Sequence, residues 1–141
     1  MKSVAAACTA RPQRFFCREI PFPGRKIVLS AGVGKTNVDE LLWLTDTVLA
    51  EAAAWKNTGW AYIADCSKML PVGASESGEL VKMTKKFVDA GCKAFGFAEG
   101  QSIMLKIQAQ KNTERSQTGV VEGHFATVQE ALDWLKKEVN I

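Results

Sequence analysis

Apolar positions along the chain switch between two periods, and the switches mark its elements. From Arg14 to Phe22 the pattern is aromatic and mixed, Pro23-Gly24 is a turn signal, and Arg25 to Ala31 is a second extended run, so two strands joined by a tight connection are expected. Gly32 and Gly34 then allow a turn into a helix. Asn37 and Glu40 have the spacing of a capping box, and Val38, Leu41, Leu42, Val48, Leu49 and Ala52 recur every three or four residues to give one buried stripe, mildly interrupted by Thr45. Asn57-Thr58-Gly59 ends that helix. Trp60 to Cys66 is a buried strand, too short and too continuously apolar for a helix.

The alternation continues to the C-terminus. After Pro71 and Gly73, Ser75 or Ser77 is placed to cap a second helix with Leu80, Val81, Thr84, Phe87 and Val88 on one face. Gly91 stops it, and Cys92 to Ala98 is the next strand. A third helix is expected from Ser102 to about Thr113, with its apolar residues in the first half, and Gly119 to Phe125 as a short edge strand. Thr127 and Glu130 form a second capping box ahead of a last helix with Val128, Ala131, Leu132, Leu135 and Val139 as its stripe. The order β-β-α-β-α-β-α-β-α predicts an α/β fold, a central mixed but mostly parallel sheet with packed helices. Residues 14–141 form the single domain, and residues 1–13 read as a flexible N-terminal segment.

Composition narrows the class. At 141 residues, with 47% hydrophobic and 23% charged residues, the chain can bury a core without staples. Its net charge of +3 comes from 18 basic and 15 acidic residues spread along the chain, and Lys82, Lys85, Lys86 and Lys93 read as a solvated helix face, so no nucleic-acid partner is expected. Cys8, Cys17, Cys66 and Cys92 have no CxxC or Cys-His spacing and His124 is the only histidine, which argues against a zinc site and for free thiols in a reducing cytoplasm. No run approaches the roughly 20 apolar residues of a membrane span, and no direct membrane insertion is expected.

The order of elements, together with the C-terminal HFATVQEALDWL from His124 to Leu135, resembles the STAS domain of sulfate transporters and anti-sigma factor antagonists, and within it the stand-alone sporulation anti-anti-sigma (SpoIIAA-like) type, over about Arg14 to Val139. In regulatory members of that family a serine in an Asp-Ser-Ser/Thr-Gly motif, at the start of the helix after the third strand, is phosphorylated and switches partner binding. Here the segment is Gly73-Ala74-Ser75-Glu76-Ser77-Gly78: Ser77 falls on the serine position, Ser75 replaces the aspartate, and Glu76 takes the preceding small polar position. The resemblance implies a non-catalytic regulatory domain that binds another protein, or itself as a homodimer, through Ser75, Ser77 and Gly78.

Other constellations come apart. Gly32-Val33-Gly34-Lys35-Thr36 has Leu29 where a phosphate loop requires glycine. Asp65, Ser67 and His124 lack any nucleophile-elbow context, and His124 reads as a surface or edge-strand residue. Glu99, Glu114, Glu122 and Glu130 show no spacing that pairs two of them. No enzyme activity, cofactor or metal is therefore expected. The alternative to protein binding is a carrier or sensor of a small apolar ligand, held between helices and sheet by Trp43, Met69 and Phe97.

Overall fold

The computed structural model describes residues 25–141 together with the backbone of residues 15–19. Its organising element is β3 (Trp60–Met69), which pairs in parallel with β2 (Ile27–Gly34) on one side and β4 (Cys92–Ala98) on the other. β5 (Val121–Phe125) adds in parallel to β4, and β1 (Phe15–Glu19) pairs antiparallel with β2, giving the order β1-β2-β3-β4-β5. The mixed, mostly parallel sheet is thus as expected. The Pro23-Gly24 connection and residues 1–13 lie outside the described residues.

Because successive strand residues point to opposite faces, β3 feeds two cores. Trp60 and Tyr62 join Val28 and Phe95 beneath α1 (Val38–Ala52) and α2 (Ala74–Asp89). Ala61 and Ile63 join Ile27, Leu29 and Ala94 on the other face, which α4 (Val128–Trp134) and its continuation through Leu135–Val139 cover with Ala131, Leu132 and Leu135. α3 (Ile103–Ser116) lies beside α2 and links β4 to β5. On the first face Phe87 meets Tyr62 edge-on at 5.0 Å and Trp60 at 5.7 Å, and Tyr62 meets Phe95 at 5.4 Å. Each such pair adds about 0.5–1.5 kcal/mol beyond the area it buries.

The helix ends explain themselves locally. Both capping boxes form: the Asn37 side chain accepts from the Glu40 N–H at 2.8 Å and Glu40 accepts from the Asn37 N–H, and Thr127 and Glu130 repeat the arrangement. Gly91, at φ +99°, carries the chain from α2 into β4, where a Cβ would stand 2.4 Å from the Lys56 carbonyl oxygen.

Three local expectations are corrected. The buried stripe of α1 is broader and rotated from the expected one: Leu42 is exposed, whereas Trp43, Leu44, Thr45 and Thr47 are buried, with the two hydroxyls satisfied by the Leu41 and Trp43 carbonyls. Neither Ser75 nor Ser77 caps α2. Gly73 holds that position in extended conformation, and the Ser77 N–H donates to the Gly73 carbonyl, which puts both serines inside the helix. In α3 the apolar first half faces outward except at Leu105, and Asn112, Thr113 and Ser116 are buried instead.

Phe87 is fully buried at the centre of the aromatic cluster. Phe87→Ala is expected to destabilise the domain by about 3–5 kcal/mol, read by urea denaturation, as for large-to-small changes in well-packed cores.

Candidate functional site

On the face covered by α1 and α2, side chains shrink toward the C-terminal ends of the strands. β2 runs Val28, Ser30, Gly32, and β3 runs Trp60, Tyr62, Ala64. Helices packed at a roughly constant distance over such a taper cannot close on it, and a cavity of about 120 Å³ remains. Its floor is Ser30, Gly32, Tyr62, Ala64, Phe95 and Phe97. Leu41 and Leu44 of α1, Leu80 and Met83 of α2, and Leu105 and Ala109 of α3 form the walls. Cys66, Met69, Leu70 and Val72 close the side toward the loop between β3 and α2.

That loop is tied to the sheet where the Leu70 N–H donates to the Gly34 carbonyl, and to α3 by one residue. Gln108 of α3 donates its amide to the Val72 carbonyl at 2.8 Å and accepts from the Val72 N–H at 3.0 Å, the pairing a neighbouring strand would make. The pair anchors the residue just before Gly73, which is extended and precedes the start of α2 at Ala74.

Most polar groups on the cavity are already engaged. Ser30 and Tyr62 share a hydrogen bond, Thr36 donates to Glu40, Thr84 donates to the Leu80 carbonyl, and Thr113 donates to the Ala109 carbonyl. Asn112 is different. It lines the cavity at 7% exposure, and its side chain bonds to no other described residue. Its amide atoms stay in contact with solvent-accessible space, since the buried side-chain polar atom left without a partner among the described residues is Trp43 Nε1. Cys66 also borders the space, but burial, with the charges of Glu99 and Asp65 added, pushes its thiol up to about 12, so it is not a nucleophile at neutral pH. Burial likewise raises the Cys92 thiol to about 12.

The residues singled out from the sequence are distributed unevenly. Met69 and Phe97 line the cavity, whereas Trp43 lies outside it, packed in the core at 5% exposure with its indole N–H unpaired among the described residues. Leu80, Met83 and Thr84 bring α2 to the cavity one turn beyond Ser77; Ser75 is exposed, and Ser77 and Gly78 are half-buried. Asp65 and Ser67 bond to each other, with the Ser67 hydroxyl donating to Asp65 at 2.8 Å, and His124 takes no part.

His124 instead sits between two carboxylates whose spacing had suggested no pairing. Its Nδ1 is 2.9 Å from Glu99 and its Nε2 is 2.8 Å from Glu122, and it lies on the edge strand β5, as one of the two expectations had it, with its side chain 9% exposed. The parallel register places Phe97 opposite His124, and the Phe97 ring stacks on the imidazole at 5.2 Å and 12°. Beside this group lies a second depression of about 240 Å³, with Ser102, Ile103 and Lys106 on its rim. Both ring nitrogens of His124 are committed, and no cluster of His, Cys, Asp or Glu among the described residues is arranged to hold a metal ion.

Burial alone would lower the His124 pKa, but hydrogen bonds and charges from Glu99, and then Glu122, outweigh it and raise the pKa above 6.5. A pKa raised on folding adds stability that is complete below the unfolded value of 6.5 and is lost as pH rises through the folded value. The stability lost in His124→Gln is therefore expected to be largest near pH 6 and to shrink with rising pH, read by urea denaturation of both proteins across pH 6–9.

No family model matches the chain, and no curated protein matches it. Among solved structures it is similar to an uncharacterised protein of the DUF3478 family from Shewanella loihica PV-4, described as having a SpoIIAA-like fold, at a TM-score of 0.69 and 15% identity, over 90% of this chain and 98% of that one. No helix among the described residues is long and apolar enough to cross a membrane. The likeness extends over nearly the whole chain, and the chain has the SpoIIAA-like, STAS-type α/β fold.

Proposed function

We propose that this chain is a non-catalytic binding domain whose ligand is a small apolar molecule held in the cavity between the sheet and α1, α2 and α3. The observation that carries this reading is the cavity: three helices and the tapered end of the sheet surround about 120 Å³ with mostly apolar side chains. An apolar cavity of about 150 Å³ binds benzene in another protein, so the size suits a single ring or short chain. The neighbouring groups supply no chemistry for turnover. The cavity thiol is held in its protonated form, Ser67 bonds to Asp65 with no histidine among the described residues beside the pair, and His124 is held between carboxylates.

A protein partner is the second reading, and one observation favours it. Ile103 and Met104 are 71% and 58% exposed, and Ile107 lies one turn on along the same helix. An apolar strip of this kind suits a protein interface. Under this reading the exposed Ser75, with Ser77 and Gly78 behind it, modulates docking at the start of α2, and Ser77→Asp changes which partners are recovered in a pull-down while Ser77→Ala does not.

The ligand reading is tested with toluene. At ten times its Kd, a ligand specific for the folded state adds about 1.4 kcal/mol, which for a domain of this size raises Tm by about 3–6 °C. Ala64→Leu, which fills the tapered end of the floor, is expected to abolish that rise. An equal shift in wild type and Ala64→Leu, or none in either, would count against the cavity as the site.

A further inference from the structure

Resting on the reading of this cavity as a ligand site, we infer that its ligand is a neutral molecule of about one ring carrying a single hydrogen-bonding group, and that this group meets Asn112. The ligand class is that of phenols, simple aryl alcohols and small amides.

Most polar groups of the lining already have partners. Ser30 and Tyr62 satisfy each other, Thr84 and Thr113 return their hydroxyls to their own helices, and both ends of the Gln108 amide are used by Val72. Asn112 remains, nine-tenths buried, with a donor and an acceptor that no described residue engages. An apolar cavity with one such amide discriminates between ligands of equal shape. A hydroxyl or carbonyl group placed at Asn112 satisfies it, whereas a methyl group in the same place leaves it unpaired.

The charge of the ligand follows from the same wall. Among the described residues no lysine, arginine or histidine lines the cavity and the carboxylate that borders it is Asp65, so none of them neutralises an anion there. A cation would leave water for walls of Leu, Met and Phe, with only that one carboxylate, already accepting from Ser67, at the border. The likeness in fold carries none of this, since it is a statement about backbone.

Phenol and toluene have nearly the same shape and differ in one hydrogen-bonding group, which makes them the probes. Affinities are measured by calorimetry on wild type and Asn112→Leu, with benzoate and benzylamine as the charged pair. Wild type is expected to bind phenol at least as tightly as the more hydrophobic toluene, and Asn112→Leu to lower the phenol-to-toluene affinity ratio at least tenfold. In wild type, the Asn112 side-chain amide resonances are expected to shift with phenol and not with toluene, a reading that stands even if the variant folds poorly. Both charged compounds are expected to bind at least tenfold more weakly than phenol. Toluene binding with an unchanged ratio and unmoved Asn112 resonances overturns the inference and leaves the cavity reading intact. Charged probes that bind as tightly as phenol overturn the neutrality of the ligand. Failure of both phenol and toluene to bind wild type overturns the inference and the cavity reading together.

Discussion

β3 is paired on both edges and covered on both faces, and each of its buried residues has to satisfy a core on its own side. That double burial requires strict alternation, with Trp60 and Tyr62 toward α1 and α2 and Ala61 and Ile63 toward α4. A slip of one residue would exchange two large aromatics for an alanine and an isoleucine across the sheet, and neither core could absorb it. The register of β2 and β4, the seating of Phe87 and the position of α4 all follow from this alternation. So does the cavity, because it lies where the first face runs out of large side chains.

This dependence explains which parts of the molecule could be seen in the chain and which could not. Strands and helices were legible because their signals are local: the capping boxes at Asn37 and Thr127, the short apolar run from Trp60, the stop at Gly91. The start of α2 is not legible there, because Ser75 and Ser77 are good caps in isolation while the Gln108 amide that pairs with Val72 lies thirty-six residues away. The rotation of α1 is hidden for a related reason. Trp43 and Thr47 are buried by what packs above the sheet, which periodicity alone does not report.

The side-chain clusters were the least legible. Glu99 directly follows β4, Glu122 and His124 lie on β5, and nothing in their spacing shows that parallel pairing sets Phe97 opposite His124. The consequence is a joint between two environments. One face of the Phe97 ring stacks on an imidazole held between carboxylates, and the same residue forms part of an apolar floor. Packing against the imidazole, itself hydrogen-bonded to Glu99 and Glu122, braces the Phe97 ring on the side of the floor nearest those carboxylates.

The taper from Val28 to Gly32 and from Trp60 to Ala64 does have a signature, since it is written in two short stretches of sequence, IVLSAG and WAYIA. It sets the depth of the cavity through very few atoms, and those atoms are independent of what defines the fold. A chain with the same strand order and a leucine in place of Ala64 would keep the architecture and lose the space. Whether another member of this architecture shares the site is thus a question about two or three positions. An inventory of such proteins sorted by the residues at Gly32, Ala64 and Asn112 would divide them into hollow and solid versions of one scaffold, a division that overall similarity does not reveal.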